Sequence, residues 1–191
     1  MTAETRTRFE REAELVRAAQ QGDRDAFKEI YEAYRDRVYS LIFYAVGDSR
    51  EAEDLLQTVF LGVYRGLERF RFESALGTWI YRVALNVCHN HRRRRRRSVP
   101  LEAILGSAAE TDRRPVPEEL HALAEKRLIL QQALFAMPRP QREVVVLKYV
   151  EGLSYEEIAQ VLGCAPGTVA SRLNRALSAL EERLRPFKHV L

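Results

Sequence analysis

The sequence has few cysteines, no long apolar run and no alternating strand pattern, and these absences narrow the possible classes of protein. Cys88 and Cys164 form no CxxC pair and no disulfide framework, so both are expected to be small buried or half-buried side chains. No apolar stretch approaches the roughly 20 residues that a membrane-spanning helix needs. The opening segment MTAETRTRFEREAELVRAAQ is charged and lacks the apolar core of a signal peptide. We therefore expect a cytoplasmic protein with no membrane span of its own.

The positive charge is concentrated in one run of arginines. The 191-residue chain has a net charge of +4. Residues 1–97 hold 19 basic and 15 acidic side chains, whereas residues 98–191 hold 12 of each. The six arginines Arg92–Arg97 therefore account for the whole positive excess. Charge concentrated in this way indicates a specific anionic partner.

Apolar residues recur at three- and four-residue spacing, which predicts an all-α protein. We expect a first helix over residues 8–21, a second from the cap Asp23 to Val46, a third after the Gly47–Ser49 break, and a fourth from near Ser74. The second helix is expected to bury Phe27, Ile30, Tyr31, Tyr34, Val38, Leu41 and Ile42. The third is expected to bury Ala52, Leu55, Leu56, Val59, Phe60, Val63, Tyr64 and Leu67. The fourth is expected to bury Trp79, Ile80, Val83, Ala84 and Val87.

The helical pattern fails after Ser98, where prolines, small residues and turn formers predominate. This composition predicts a flexible linker over 98–117 between a four-helix N-terminal domain, 1–97, and a C-terminal domain, 118–191. The C-terminal domain is expected to begin with one helix ending before Pro138 and a second over 139–150. The first of these is expected to bury Leu120, Leu123, Leu128, Leu130, Leu134 and Phe135.

The rest of the C-terminal domain has the layout of a helix-turn-helix. Ser154 and Glu157 fit a capping box, Gly163 suits the turn, and Pro166 suits the first turn of a longer helix. That helix is expected to bury Val169, Leu173, Ala176, Leu177, Leu180 and Leu184. Its outer face is expected to carry Thr168, Ala170, Ser171, Arg172, Asn174 and Arg175, residue types that bind base edges or phosphates in the major groove. An ordinary helical hairpin with a solvated face is the simpler alternative.

A second polar stripe lies on the fourth helix, directly before the arginines. Arg82, Asn86 and Asn90 recur every four residues and so share one helix face. Such a face with a basic end can follow a phosphate backbone and contact bases. The aromatic side chains Phe70, Phe72 and Trp79 can stack on unpaired bases, or can simply pack in the core.

These residues lie in two segments that together resemble one family. EAEDLLQTVFLGVYRGLERFRFESALGTWIYRVALNVCHNHRRR is similar to the second region of bacterial sigma factors. MPRPQREVVVLKYVEGLSYEEIAQVLGCAPGTVASRLNRALSALEERL is similar to their fourth region. Only the linker stands between them, a layout typical of the extracytoplasmic-function (ECF) group. The resemblance implies a non-catalytic subunit, with no cofactor or metal, that binds core RNA polymerase and promoter DNA. Relatives are usually held inactive by an anti-sigma factor, so such a partner is expected here too.

The resemblance also implies which residues make these contacts. Core polymerase would be bound by Asp54, Leu55, Gln57 and Thr58. The minus-ten element would be bound by Phe72, Glu73, Ser74, Trp79, Arg82, Asn86, Asn90, Arg92, Arg93 and Arg94. The minus-thirty-five element would be bound by Thr168, Ser171, Arg172, Asn174 and Arg175. The chain departs from the family pattern at Thr58, often Glu in relatives, at Phe72, usually Gly, and at Ala170, often basic.

Three other functions are weaker alternatives. Another helix-turn-helix regulator would need a receiver domain or a ligand pocket, and the first domain shows no strand–helix alternation. A recombinase would need a serine supported by arginines on a mixed domain, which Ser40, Ser49 and Ser74 lack. A metal site at Cys88, His89 and His91 would need a fourth ligand, and adjacent helical positions point about 100° apart.

Overall fold

The computed structural model describes the backbone of residues 3–98 and 118–188, and side chains within 9–95 and 125–188. Every regular element in these ranges is a helix, which confirms the all-α prediction. The first four helices form one compact unit, and the helices from Glu118 onward form most of a second. The predicted linker lies outside the described residues, apart from Ser98 at the end of the fourth helix.

Short capping signals set the helix bounds of the first unit. Its helices are α1 (Ala3–Gln20), α2 (Arg24–Val46), α3 (Ser49–Leu67) and α4 (Leu76–Ser98). The Asp23 carboxylate accepts from the backbone N–H groups of Asp25 and Ala26, and Asp48 caps α3 by accepting from the Glu51 N–H at 2.8 Å. Gly47 ends α2 with φ 86°, a left-handed conformation that glycine adopts without steric cost.

The core of the first unit forms where α2 packs against α1, α3 and α4. The predicted buried faces of α2 and α3 are largely correct. The prediction that Tyr64 is buried is wrong, because Tyr64 is 53% exposed and its ring meets Phe27 edge-on. The face of α4 is rotated from the predicted one. Its most buried residues are Leu76, Thr78, Ile80, Tyr81, Ala84, Leu85 and Cys88, whereas Trp79, Val83 and Val87 are half-buried.

The second unit differs from prediction in its first two helices. In α5 (Glu118–Phe135), Ile129, Ala133 and Leu134 are buried, while Leu128 and Leu130 are exposed. The next helix changes from α-helical to π-helical geometry along its length. It runs as α6 over Arg139–Val145 and continues as a π-helical turn, Val146–Val150, that leaves Tyr149 and Val150 exposed.

The helix-turn-helix forms as its capping signals predict. In front of α7 (Tyr155–Leu162), the Ser154 N–H donates to Glu157 Oε2 at 2.8 Å, and the Glu157 N–H donates to Ser154 Oγ at 3.2 Å. Gly163 has φ 62° in the turn. Pro166 begins α8 (Pro166–Leu184), which buries Val169, Leu173, Ala176 and Leu180. Leu177, predicted to be buried, is exposed.

Candidate polymerase and nucleic-acid interfaces

The predicted polar stripe on α4 is present and exposed. Arg82, Asn86 and Asn90 are exposed along the helix. Because residues three, four or seven positions apart share a helix face, Arg93 and Arg94 continue this stripe into the arginine run. Both of these arginines are exposed. The stripe therefore presents two amides between cationic ends, which suits contact with bases and phosphates together.

A different side of α4 is held against the start of α3. His91 Nε2 lies 3.5 Å from Glu51 Oε2, and Arg95, one turn further on, forms an ion pair with the same carboxylate. Arg92 lies four residues after the buried Cys88 and so follows this inner side beyond the core, although its side chain is exposed. His91 consequently faces α3 rather than the exposed stripe.

The loop between α3 and α4 contains an unusual backbone conformation at Phe72. Among the described residues, Phe72 is the only non-glycine with positive φ, at 59°. A side chain in this left-handed conformation costs about 1–2 kcal/mol, which is why glycine is common there. The chain thus keeps the backbone conformation of a glycine position while adding an aromatic ring.

Packing around Phe72 offsets this cost. Its half-buried ring meets Phe70 edge-on, with centroids 5.1 Å apart, and the Arg17 guanidinium lies 5.4 Å from its centroid. The Gln20 amide donates to the carbonyls of Leu67 and Phe70, both at 3.0 Å. Two residues of α1 therefore support the loop. Sequence reasoning missed both, because neither belongs to a local pattern around Phe72.

The other residues predicted to bind the minus-ten element from this region differ in how exposed they are. Glu73 is exposed and Ser74 is half-buried. The Trp79 ring is half-buried, packs on the backbone of Gly66 and lies 5.1 Å from Phe70. Part of the indole thus belongs to the packing between α3 and α4, and only the rest is accessible for stacking on a base.

The predicted polymerase-binding face lies on the outer side of α3. Asp54 and Gln57 are exposed, and the exposed Thr58 donates its hydroxyl to the Asp54 carbonyl at 3.1 Å. Leu55 is only 6% exposed, so it can support this face from the core but cannot offer much contact surface.

One apolar residue extends this outer face of α3. Leu61 is 57% exposed and lies one helical turn after Gln57. The same helical spacing that relates Asp54 to Gln57 could have identified Leu61 from the sequence. The outer face therefore combines acid and amide groups with an apolar side chain, a combination suited to a protein partner.

Beside this face, Tyr39 of α2 is close to acidic groups. Burial, with added repulsion from Glu53 and Asp48, raises the pKa of Tyr39 above its usual value near 10. A tyrosine is uncharged at neutral pH with or without this shift, so the phenol can donate a hydrogen bond.

On α8, the predicted DNA-facing residues divide into an outer and an inner set. Ser171, Asn174 and Arg175 are exposed and share one face, whereas Thr168 and Arg172 are half-buried, as is Ala170. The Ser171 hydroxyl donates to the Thr168 carbonyl, and Arg175 Nε donates to the Ser171 carbonyl, each at 3.1 Å. These short-range bonds hold the outer side chains along the helix surface.

In the part of the chain with described side chains, no group of three or more His, Cys, Asp or Glu residues is arranged to hold a metal ion. No described helix combines the length and apolar content needed to cross a membrane. Cys88 is buried and Cys164 is half-buried, both as free thiols, as expected.

Comparison with known protein families matches both units. The model of Sigma-70 region 2 matches residues 30–98, and that of Sigma-70, region 4 matches residues 127–180. The first match contains the outer face of α3, the Phe72 loop and the α4 stripe. The second contains the helix-turn-helix. The class defined by these matches is therefore the sigma-70 class.

Full-length relatives narrow the class. The RNA polymerase sigma-H factor of Pseudomonas aeruginosa is 35% identical over 185 residues, covering 93% of this chain and 96% of that protein. The ECF RNA polymerase sigma-E factor of Haemophilus influenzae is 36% identical over 180 residues, covering 91% and 95%. The chain belongs to the ECF sigma factor family.

Solved structures agree at the level of the fold. The structure of CnrH in complex with the cytosolic domain of CnrY has a TM-score of 0.69 at 22% identity, covering 92% of this chain and 98% of that one. The sigma factor RpoE from Bartonella quintana, in complex with the anti-sigma factor NepR, has a TM-score of 0.69 at 25% identity, covering 83% and 96%.

Proposed function

We propose that this sigma factor acts as a non-catalytic initiation subunit, bringing core RNA polymerase to promoters through contacts at both the minus-ten and minus-thirty-five elements. The observation that carries the proposal is that one chain presents two polar helix surfaces on separate units. One is the Arg82–Arg94 stripe on α4, the helix that follows the Phe72 loop, and the other is the Ser171–Arg175 face of α8. Two separate DNA-binding surfaces on one chain suit a promoter that has two separate recognition elements.

In this proposal the N-terminal domain, 1–97, binds polymerase and opens the minus-ten element. The outer face of α3 binds core polymerase through Asp54 and Gln57, with Thr58 beside them and Leu55 supporting them from the core. Asn86 and Asn90 contact bases, Arg82 and Arg92–Arg94 contact phosphates, and Phe72, Glu73, Ser74 and Trp79 surround an unpaired base. Unstacking a base costs a few kcal/mol, and stacking on an aromatic ring returns about 1–3 kcal/mol.

The C-terminal domain, 118–191, reads the minus-thirty-five element in the major groove. Ser171, Asn174 and Arg175 supply the outer contacts, and the half-buried Thr168 and Arg172 contact phosphates at the edge of the groove. A guanidinium pairs with a guanine edge and an amide with an adenine edge, so Arg175 and Asn174 carry most of the base discrimination. These partners place the protein in the cytoplasm, where core polymerase and chromosomal DNA are found.

An anti-sigma factor is the third partner that we propose. The RpoE of Bartonella quintana was solved with such a protein. On this chain, the α3 face with its exposed Leu61 offers a surface that an inhibitor and core polymerase would share. An inhibiting fraction of cell extract should therefore lose its effect when core polymerase is added in excess. Inhibition that excess core leaves unchanged would argue against a shared face.

Run-off transcription tests the function directly. Genomic DNA of the source bacterium is transcribed by core polymerase with and without the protein, and the 5′ ends of the transcripts are sequenced. We expect new, protein-dependent start sites preceded by two shared sequence elements. As a matched control, an Asn174→Ala and Arg175→Ala double variant should lose start sites that depend on the upstream element. If no protein-dependent start site appears, the proposed function is wrong.

A further inference from the structure

The Phe72 loop needs support from outside itself, because its central residue has a backbone conformation that L side chains rarely adopt. Phe72 has φ 59°, and its ring is only half-buried. A strained conformation of this kind persists only where the surroundings determine it. The edge-on contact with Phe70 lies within the loop, and Phe70 in turn packs against Trp79 of α4, which gives the loop one anchor.

A second anchor comes from the last turn of α1. The Arg17 guanidinium lies over the Phe72 ring at 5.4 Å, within the range of a favourable cation–aromatic interaction. Gln20, three residues later on the same helix, donates to the carbonyls of Leu67 and Phe70, which flank the end of α3. Both residues precede residue 30, where the match to Sigma-70 region 2 begins.

We propose that Arg17 and Gln20 are positioning residues for promoter opening. Gln20 fixes the point at which the loop leaves α3, and Arg17 holds the Phe72 ring so that the backbone stays left-handed. With Arg17 on the ring, the accessible part of Phe72 stands at a constant place in the loop that leads into α4, the helix that carries Arg82 and Asn86. This inference rests on the proposed function, since it assumes that the loop receives an unpaired promoter base.

The first test compares Arg17→Gln with Arg24→Gln in the full-length protein bound to core polymerase. Arg24 is also an exposed arginine before residue 30, so the two variants lose the same charge. Promoter opening is measured by permanganate reactivity of unpaired thymines on a promoter from the run-off experiment, and core binding by native-gel competition. We expect Arg17→Gln to lower opening about 2- to 5-fold with core binding unchanged, as for a surface cation–aromatic contact. Arg24→Gln should match the unaltered protein.

The second test repeats both substitutions in a Phe72→Gly background. Glycine adopts positive φ without help, so Arg17→Gln should cost no more than Arg24→Gln there. Gln20→Ala should lower opening in both backgrounds, because its bonds hold the loop backbone rather than the ring. Urea unfolding followed by tryptophan fluorescence verifies that each variant is folded.

The outcomes separate this inference from the proposed function. If the unaltered protein gives no promoter-dependent transcript, the proposed function fails. If it opens promoters and Arg17→Gln behaves like Arg24→Gln, only the role of Arg17 fails. If Arg17→Gln lowers promoter opening equally in both backgrounds, the guanidinium contacts DNA directly, and this result overturns its role through Phe72. Full opening by Gln20→Ala overturns the role of Gln20.

Discussion

Two glycines on α3 give a matched pair of substitutions that tests the packing behind the minus-ten region. Gly62 and Gly66 lie one turn apart in the helix, and both approach α4. A Cβ added at Gly62 would lie 3.5 Å from Val83 Cγ1, an ordinary van der Waals contact. A Cβ added at Gly66 would lie 2.9 Å from Trp79 Cζ2, closer than such atoms pack.

The two alanine variants should therefore change stability differently. Alanine is favoured over glycine inside a helix by about 0.8–1.0 kcal/mol, so Gly62→Ala should raise the free energy of unfolding by about 1 kcal/mol. Gly66→Ala has the same helical gain, but overpacking costs about 1–3 kcal/mol. The indole can retreat little, because Phe70 packs against it. We expect Gly66→Ala to lie about 1–3 kcal/mol below Gly62→Ala.

The assay is urea unfolding followed by tryptophan fluorescence. Trp79 is the chain's single tryptophan, so the signal reports on the N-terminal unit. With a slope of roughly 2 kcal/mol per molar urea, a change of 1 kcal/mol moves the midpoint by about 0.5 M. Gly66→Ala should also shift the emission spectrum of the folded protein and lower permanganate reactivity of the promoter, whereas Gly62→Ala should do neither. Equal midpoints and spectra for the two variants would refute the packing argument.

Four further variants test the surfaces and one helix cap. Asp54→Ala combined with Gln57→Ala should weaken core binding at least several-fold in native-gel competition; unchanged affinity would contradict a docking role. Asn86→Ala should lower permanganate reactivity at the promoter more than it lowers core binding, and an unchanged footprint would count against it. Ser154→Ala should destabilise the C-terminal unit by about 1 kcal/mol, measured by hydrogen exchange, relative to the exposed Ser178→Ala. Arg93→Gln should reduce the salt dependence of promoter binding by about one unit of slope; an unaltered slope means no phosphate contact.

Local signals predicted much of the fold because they act over a few residues. Asp23, Asp48 and Ser154 cap helices as their types and positions indicate, and Gly47 and Gly163 end them with positive φ. These features depend on backbone groups within one turn, so the sequence contains all the information that they need.

In α5 and near the end of α8, apolar spacing alone did not determine which helix face is buried. In α5, Leu128, Ile129 and Leu130 are consecutive, so several faces fit the same pattern, and packing against α8 decides among them. Leu177 also nearly fits the spacing of the buried residues of α8, yet its side chain is exposed. The π-helical turn after Val145 was not predictable, because no propensity distinguishes it from a continued α-helix.

In the candidate sites, too, features set by local spacing were predictable and contacts between distant residues were not. The spacing of Arg82, Asn86 and Asn90 was enough to place them on one exposed face. The support of Phe72 by Arg17 was not predictable, because the two residues are far apart in sequence and neither follows a periodic pattern with the other.

The arginine run, the most conspicuous feature of the sequence, cannot act as one unit because it is helical. Arg93 and Arg94 extend the face of Asn86 and Asn90, whereas Arg95 turns back to the Glu51 carboxylate beside His91. A carboxylate competes with phosphate for the same guanidinium, so the Glu51 ion pair draws Arg95 toward α3. Although the side chains are identical, position around the helix therefore determines which arginines share the face of Asn86 and Asn90, and the neighbouring amides and the Phe72 loop must supply the sequence preference.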